Sequence, residues 1–252
     1  MAVLEICVED IAGLRAAADC GADRVELCAA LALGGLTPPL SLMQAAAAVP
    51  IATRVLCRPR PGNFRHDGAE LQLIADDMTA TAEAGLEGVV IGAGTAAGLD
   101  RGALAQLVDH ARHLGARRNR PLGLTLHRVF DALDDQSTGL EQAIELGFDT
   151  VLTSGGAPRA VAGAGQLEAL VRQAAGRITI LAGSGVDVDA VRPLAAAGLR
   201  AFHASCRAPR AWQPDARLQA LGFETEAPQR TDPARVKSLK AAISLANGNT
   251  NA

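Results

Sequence analysis

A repeated turn constrains this chain more than any other feature of its sequence. Four segments share one pattern: a helix end, a glycine, an apolar residue, one or two polar residues and then a short β-rich run. The glycines are Gly21, Gly85, Gly147 and Gly198. Each stands where a helix C-cap needs a left-handed backbone, which glycine adopts without steric cost. The pattern predicts four αβ turns of one type, about fifty to sixty-five residues apart.

More strand candidates lie between these turns, at Val3–Cys7, Ile51–Arg58, Leu122–His127 and Ile178–Ala182. With the runs after the glycines they make eight short apolar segments, which alternate with alanine- and leucine-rich helical stretches. Continuous apolar strands are typical of a parallel sheet covered on both faces. A length of 252 residues also fits one α/β barrel. We therefore predict an α/β fold, a single-domain (β/α)8 TIM barrel over residues 1–246, with a doubly wound open sheet as the alternative.

The C-terminal region predicts one more helix, at about residues 232–246. Thr231 is the expected N-cap, and Pro233 falls in the first helical turn, where its missing N–H costs little. Residues 247–252 are expected to form a frayed tail.

Composition excludes several classes of function. The net charge is −3 with no basic block, which argues against nucleic-acid binding. Aromatic residues make up 2% of the chain, so a base-stacking surface is not expected either. The only lysines, Lys237 and Lys240, lie near the C-terminus, so no predicted strand offers the amine that a Schiff-base aldolase needs. The glycine-rich stretch at 92–98 has the wrong spacing for a dinucleotide loop, and no nucleotide cofactor is expected.

The cysteines and the N-terminus predict the compartment. Five cysteines without a C-x-x-C pair suit a reducing environment better than a disulfide framework. The first residues lack the pattern of a signal peptide, and no apolar run is long enough for a membrane span. A cytoplasmic protein without membrane contact is expected.

The most informative functional stretch is the end of the predicted fifth strand. An apolar run stops at His127 and Arg128, and Asp131 follows three residues later. Ionisable residues at strand ends are typical of the catalytic face of a barrel. His127 is a candidate general base, ligand or anion anchor, and Asp131 is a candidate to orient it. The alternative is a buried structural histidine beside a surface arginine.

Two glutamates sit inside predicted apolar strands. Glu5 lies in the first strand and Glu26 in the second, where burial is costly unless each is paired. The expected partners are Arg58 and Arg128, at the ends of other strands. His203 occupies the repeat position of Glu26, so we expect the two at one level. A structural ion-pair network is the alternative to a catalytic role for Glu26.

Candidate anion-binding residues lie in the loops after the strands. Prolines stiffen the segment that carries Arg58 and Arg60, and the arginine fork suits carboxylate or phosphate. Two Gly/Ser turns could cradle an anion through backbone N–H groups. They contain Ser154, Gly155, Gly156, Gly183, Ser184 and Gly185, and Ser205 follows the eighth strand. Tight turns without a ligand are the alternative.

A metal site would rest on the cysteines. Cys7, Cys28 and Cys57 fall near the ends of three consecutive predicted strands. Thiolates select soft ions such as Cu(I) or Zn. Buried cysteine is, however, also a common apolar core residue.

Seven ordered motifs resemble the CutC family. They are Leu-Glu-Ile-Cys at 4–7, Gly-Ala-Asp-Arg-Val-Glu-Leu-Cys at 21–28, Gly-Gly-Leu-Thr-Pro at 34–38, Arg-Pro-Arg at 58–60, His-Arg-Val-Phe-Asp at 127–131, Leu-Thr-Ser-Gly-Gly at 152–156 and Phe-His-Ala-Ser at 202–205. The resemblance implies a TIM barrel, a cytoplasmic homo-oligomer (dimer or tetramer), and an association with copper homeostasis through Cu(I), with no established reaction.

The chain departs from the family pattern in two places. Residues 206–230 replace a longer segment that bears glycine and methionine, and Cys57 stands where an apolar residue is common. Only Cys7 and Cys28 therefore carry over as candidate copper ligands.

Two functions follow from these observations. The first is a cytoplasmic copper-homeostasis protein that binds Cu(I). The alternative is an isomerase or lyase of the TIM-barrel type, acting at the barrel mouth on a small anionic or phosphorylated substrate, with Glu26 or His127 moving the proton.

Overall fold

Eight parallel strands close into a barrel in a computed structural model that describes residues 2–224 and 227–248. Each strand pairs with the next in the chain, and β8 pairs with β1. The strands are β1 Val3–Val8, β2 Arg24–Leu27, β3 Ala52–Leu56, β4 Gly88–Ile91, β5 Gly123–Leu126, β6 Thr150–Thr153, β7 Thr179–Ala182 and β8 Ala201–Ala204. The predicted (β/α)8 TIM barrel is confirmed.

A helix follows each of the first seven strands. These helices are α1 Ile11–Asp19, α2 Leu40–Ala46, α3 Gly68–Glu83, α4 Arg101–Arg117, α5 Gln136–Leu146, α6 Ala164–Ala174 and α7 Val188–Ala196. Five of them begin after an aspartate whose side chain accepts a first-turn N–H, a cap that contributes about 1 kcal/mol. The capping residues are Asp10, Asp67, Asp100, Asp135 and Asp187. No helix among the described residues is long and apolar enough to cross a membrane.

The repeated glycines have the backbone conformation that the sequence predicts. Gly21, Gly85, Gly147 and Gly198 have φ angles of 86°, 79°, 100° and 89°. Each lies between a helix and the strand that follows it. A residue with a Cβ would be strained at such angles.

After β8 the chain forms a short two-stranded sheet with a small helix between its strands, and then a C-terminal helix. These elements are β9 Arg207–Pro209, α8 Ala216–Ala220, β10 Gln229–Thr231 and α9 Pro233–Gly248. Strands β9 and β10 pair antiparallel, and α9 packs against α7 and α1. Thr231 is not the N-cap: it lies in β10, and Asp232 accepts the N–H of Ala234 instead. The helix runs through Gly248, two residues beyond its predicted end, and residues 249–252 of the predicted frayed tail lie outside the described residues.

Side chains alternate between two environments along each strand. In β1, Leu4, Ile6 and Val8 belong to the large apolar core that includes the helices. Glu5 and Cys7, the residues between them, are also buried but lie outside that core. This alternation is the ordinary period of a strand, and it directs polar groups to the barrel interior.

Arg54 is the centre of a polar network inside the barrel. Its side chain is buried and donates hydrogen bonds to Glu87, Asp149 and Thr125. Gly123 makes room for it, since a Cβ there would lie 2.6 Å from one guanidinium nitrogen. The network ties β3 to β5 and to the residues that precede β4 and β6.

Replacing Arg54 is expected to destabilise the barrel. Arg54→Met should lower the free energy of unfolding by about 2 kcal/mol, because the buried Thr125 hydroxyl and the partly exposed carboxylates of Glu87 and Asp149 lose their donor. Arg101→Met is the matched control, since the Arg101–Glu145 pair is exposed and such pairs contribute about 0.5 kcal/mol. Urea denaturation measures both, and an equally small loss in the two variants would contradict the prediction.

Candidate functional site

A cavity of about 450 Å³ opens at the carboxyl ends of the barrel strands. Nine of the seventeen predicted site residues line it: Cys7, Glu26, Arg58, His127, Arg128, Ser184, Gly185, His203 and Ser205. The carboxyl ends of barrel strands carry the active sites of this fold. The cavity is therefore the candidate site.

Glu5 lies beneath the cavity and holds His203 in place. Its carboxylate is fully buried, accepts a hydrogen bond from Arg24 Nε, and lies 2.7 Å from His203 Nδ1. Burial alone would raise the pKa of Glu5, but the bond to His203 and the charge of Arg24 outweigh it and hold the pKa at about 2. Arg24 and His203 thus take the place of the expected partners Arg58 and Arg128.

His203, Glu26 and Cys7 form a compact cluster above Glu5. Their ligand atoms lie within 4.8 Å of one another, and His203 Nε2 is 3.7 Å from a Glu26 oxygen. Strand register produces this arrangement, because Cys7 is opposite Glu26 across β1 and β2, and Glu5 is opposite His203 across β1 and β8. Glu26 and His203 were expected at the same height in the barrel, and the structure places their side chains next to each other.

The charges in this cluster are mutually dependent. Burial raises the pKa of Glu26 to about 7, although the His203 charge acts in the opposite direction. Burial lowers the pKa of His203, but Cys7, Glu5 and Glu26 together raise it well above its ordinary value. A carboxyl group that titrates near neutral pH beside a cationic imidazole is suited to proton transfer. A thiol, a carboxyl and an imidazole within reach of one point are also suited to a metal ion.

Cys28 is placed differently from Cys7. It is fully buried in a small apolar cluster with Cys7, Leu56 and Val90, and it does not line the cavity. Its thiol donates to the carbonyl of Val8, and burial raises its pKa well above the usual range. The structure therefore brings Cys7 to the cavity, whereas Cys28 remains in the layer behind it.

His127 lies in the cavity wall with one ring nitrogen occupied. The N–H of Val129 donates to its Nδ1 at 3.1 Å, and its Nε2 has no partner among the described residues. The ring sits against Gly92, where a Cβ would approach it to 2.3 Å, and its centroid is 4.7 Å from that of Phe64. Burial, with help from the charge of Arg58, lowers its pKa to about 3. His127 is therefore a neutral imidazole with the hydrogen on Nε2.

Asp131 does not orient His127. Its carboxylate accepts hydrogen bonds from the backbone N–H groups of Ser154 and Gly156. It also forms an ion pair with Arg128, whose Nε lies 2.7 Å from a carboxylate oxygen. The N–H of Gly155 donates to Thr153 Oγ1. The predicted anion cradle at 154–156 is therefore filled by the protein itself, because Asp131 supplies the negative charge.

The two arginines of the β3–α3 loop have separate roles. Arg58 is buried in the cavity wall and donates to the carbonyls of Leu33, Gly35 and Gly62. Arg60 lies outside the cavity and pairs with Glu70 on α3.

The β7–α7 turn keeps free donors at the cavity. Gly183 bonds to the carbonyl of Thr153 and does not line the cavity. Ser184 and Gly185 line it with positive φ angles, and within residues 2–224 and 227–248 their N–H groups have no acceptor. Ser205, after β8, lies on the same wall.

Comparisons with known proteins agree with this geometry. The CutC family model matches residues 2–208. The chain belongs to the CutC family. It is 42% identical to the family protein CutC of Sinorhizobium medicae over 243 residues, 96% of each chain, and 46% identical to that of Caulobacter vibrioides over 224 residues, 88% of each. It also superposes on the CutC crystal structure of Streptococcus agalactiae, which carries the name copper homeostasis protein, with a TM-score of 0.74 and 28% identity over 81% of this chain and 99% of that one.

Three residues of this CutC family member are functionally placed but absent from the sequence predictions. Arg24 neutralises Glu5, Phe64 packs against His127, and Arg207 lines the cavity while pairing with Glu9 at 3.1 Å. Arg24 precedes Glu26 by two residues in the second strand, so the sequence could have suggested it as a partner for a buried carboxylate. Phe64 lies in the β3–α3 loop and Arg207 begins the short strand β9, and neither residue has a sequence spacing that carries a comparable signal.

The raised pKa of Glu26 makes a testable contribution to stability. A carboxyl whose pKa is higher in the folded than in the unfolded chain stabilises the fold at low pH, and this contribution is lost as the pH rises through about 7. The free energy of unfolding of the wild type relative to Glu26→Gln should therefore fall from about pH 5 to pH 8 by roughly 2 to 3 kcal/mol, at about 1.4 kcal/mol per pKa unit. Urea denaturation at both pH values measures it. A constant or rising difference would contradict the prediction.

Proposed function

We propose that this chain binds Cu(I) as cargo in the cytoplasm, at the cluster of Cys7, Glu26 and His203. The observation that carries the proposal is the convergence of a thiol, an imidazole and a carboxyl within 4.8 Å at the cavity. Thiolate and imidazole are the donors that suit copper, whereas the carboxylate is a weaker, harder ligand. The copper-homeostasis name of the Streptococcus agalactiae relative supports the same ion.

The environment of His203 fits a metal ligand. Histidines that bind metals in proteins usually donate the other ring N–H to a carboxylate, which fixes the tautomer. Glu5 accepts from Nδ1 of His203 in this way, and Nε2 remains directed to Glu26 and Cys7. A site built on Cys7 and His203 replaces the expected pair of Cys7 and Cys28. The five unpaired cysteines support a reducing compartment.

Cysteine variants test the copper proposal. The purified protein is expected to bind one Cu(I) per chain in competition with a chromophoric Cu(I) chelator. Cys7→Ser should abolish binding, and His203→Gln should weaken it about 10-fold or more. Cys20→Ser is the matched control, because Cys20 lies at the end of α1 and away from the cavity.

Cys28→Ser separates the two possible ligand pairs. Retained stoichiometric binding in this variant supports Cys7 with His203, and lost binding supports Cys7 with Cys28. Full binding by Cys7→Ser would contradict copper binding at this cluster altogether.

We propose proton transfer on a small anionic substrate as the second candidate function. The specific observation is Glu26, a buried carboxyl group at the cavity that lies beside the cationic His203 and has a pKa of about 7. In its ionised form this carboxylate can accept a proton from a carbon acid, and in its protonated form it can return one. This role invokes no metal, so Cys7 contributes to it only through its effect on the pKa of His203.

Hydrogen exchange tests the second candidate. Small carboxylate and phosphate metabolites are incubated with the protein in deuterated buffer, and proton NMR follows the replacement of C–H by C–D. We expect exchange with at least one compound, a loss of about 100-fold or more in Glu26→Gln, and a smaller loss in Cys7→Ser, which keeps the carboxyl group. Exchange that persists in Glu26→Gln would remove Glu26 from the reaction.

A further inference from the structure

Two buried side chains beside Phe64 keep hydrogen-bonding capacity that the described part of the chain does not use. Arg58 Nε and His127 Nε2 have no partner within residues 2–224 and 227–248. The residues are only 8% and 4% exposed, and both line the cavity. A buried donor without an acceptor destabilises the fold, and an acceptor on a ligand in the cavity can offset that cost.

The hydrogen on His127 Nε2 follows from its surroundings. Nδ1 accepts the N–H of Val129, so in the neutral ring the single hydrogen is on Nε2. Gly92 and Phe64 hold the ring from two sides. His127 is therefore a fixed donor, and its partner must be an acceptor.

Arg58 is a buried cation without a counter-ion in the described part of the chain. Its two terminal nitrogens donate to three backbone carbonyls, which are neutral. Buried charges are ordinarily paired, because desolvation is costly. Every other arginine in the cavity wall has such a partner: Arg128 pairs with Asp131, and Arg207 pairs with Glu9.

Arg58 and His127 lie on the same part of the wall. The Arg58 guanidinium carbon is 5.3 Å from the centre of the Phe64 ring, and that ring is 4.7 Å from the imidazole. The positive charge of Arg58 also contributes to the low pKa of His127. An unpaired cation and a free neutral donor thus flank one aromatic side chain.

We propose that this part of the cavity binds an oxyanion, the carboxylate or phosphate group of a small organic substrate, through Arg58 and the Nε2–H of His127. The inference deepens the second proposed function and rests on it for the reaction, although the binding step requires neither Glu26 nor Cys7. It assigns to His127 the role of a donor to substrate oxygen, in place of a general base. Glu26 remains the group that moves the proton.

Nitrogen-15 NMR of the histidines tests the proposal directly. At neutral pH, His127 is expected to be neutral with its hydrogen on Nε2. Inorganic phosphate and acetate are the probes. Both are oxyanions, and a comparison of the two distinguishes a phosphate group from a carboxylate group on the substrate. At least one probe should shift the His127 Nε2–H resonance in a saturable manner. The probe that binds more tightly identifies the substrate group, phosphate or carboxylate, that the site prefers.

Paired variants separate hydrogen bonding from folding. His127→Gln keeps a donor near the Nε2 position and should retain probe affinity within about threefold, whereas His127→Leu should lose about tenfold or more, as expected for a hydrogen bond to a charged group. Arg112→Ala removes an exposed cation outside the cavity and should leave affinity unchanged. Cys7→Ser and Glu26→Gln should also bind the probe, so failure of copper binding or of proton exchange is distinguishable from failure of this proposal.

Several results would overturn the proposal. One is a His127 ring with its hydrogen on Nδ1, or a doubly protonated ring at neutral pH. Another is a probe response confined to the amides of Ser184 and Gly185, which would place the anion at the β7–α7 turn. Equal affinity in His127→Leu and the wild type would show that His127 does not donate to the anion.

Discussion

A single buried carboxylate, Glu5, sets the arrangement of the whole candidate site. A charge inside a barrel is tolerated only if opposite charges and donors surround it. Arg24 and His203 meet that requirement from the two strands that neighbour β1. Because Glu5 fixes Nδ1 of His203, the other ring nitrogen is left facing Glu26 and Cys7. The chemistry available at the cavity floor is therefore a consequence of how the barrel neutralises its own interior.

The sequence allowed prediction of which segments form strands and of which side chains lie at the same height in the barrel. It did not allow prediction of which charged side chains pair with each other. The repeat fixes the β2, β4, β6 and β8 positions, and closure in chain order then brings Glu26 and His203 to one level. The partner of Glu5 depends on side-chain reach within the barrel, which spacing does not encode. Arg58 looked like a partner because it ends a strand, yet its terminal nitrogens donate to the carbonyls of Gly35, between β2 and α2, and of Gly62, in the loop after β3.

Loop chemistry shows a second limit of sequence reasoning. A Gly/Ser turn looks the same whether a ligand or a side chain accepts its N–H groups. The turn at 154–156 is closed by Asp131, while Ser184 and Gly185 stay open, although both sequences suggested an anion site. His127 was identified as a site residue from its position at a strand end. Its tautomer depends on the N–H of Val129, a contact created by the short 3-10 turn at Arg128–Ala132.

The two proposed functions compete for the same atoms, and proton affinity decides between them. Metal ligands must be deprotonated, so an ion that binds His203 must displace the hydrogen from Nε2. The neighbouring anionic groups raise the pKa of His203 and oppose that displacement, whereas they favour a cation of any kind in the cluster. Glu26, with an oxygen 3.7 Å from His203 Nε2, is a carboxyl group that can take the released proton. Metal uptake and proton transfer therefore both depend on the protonation state of Glu26. Arg58 and His127 lie in another part of the cavity wall, and the anion binding proposed for them does not require Glu26.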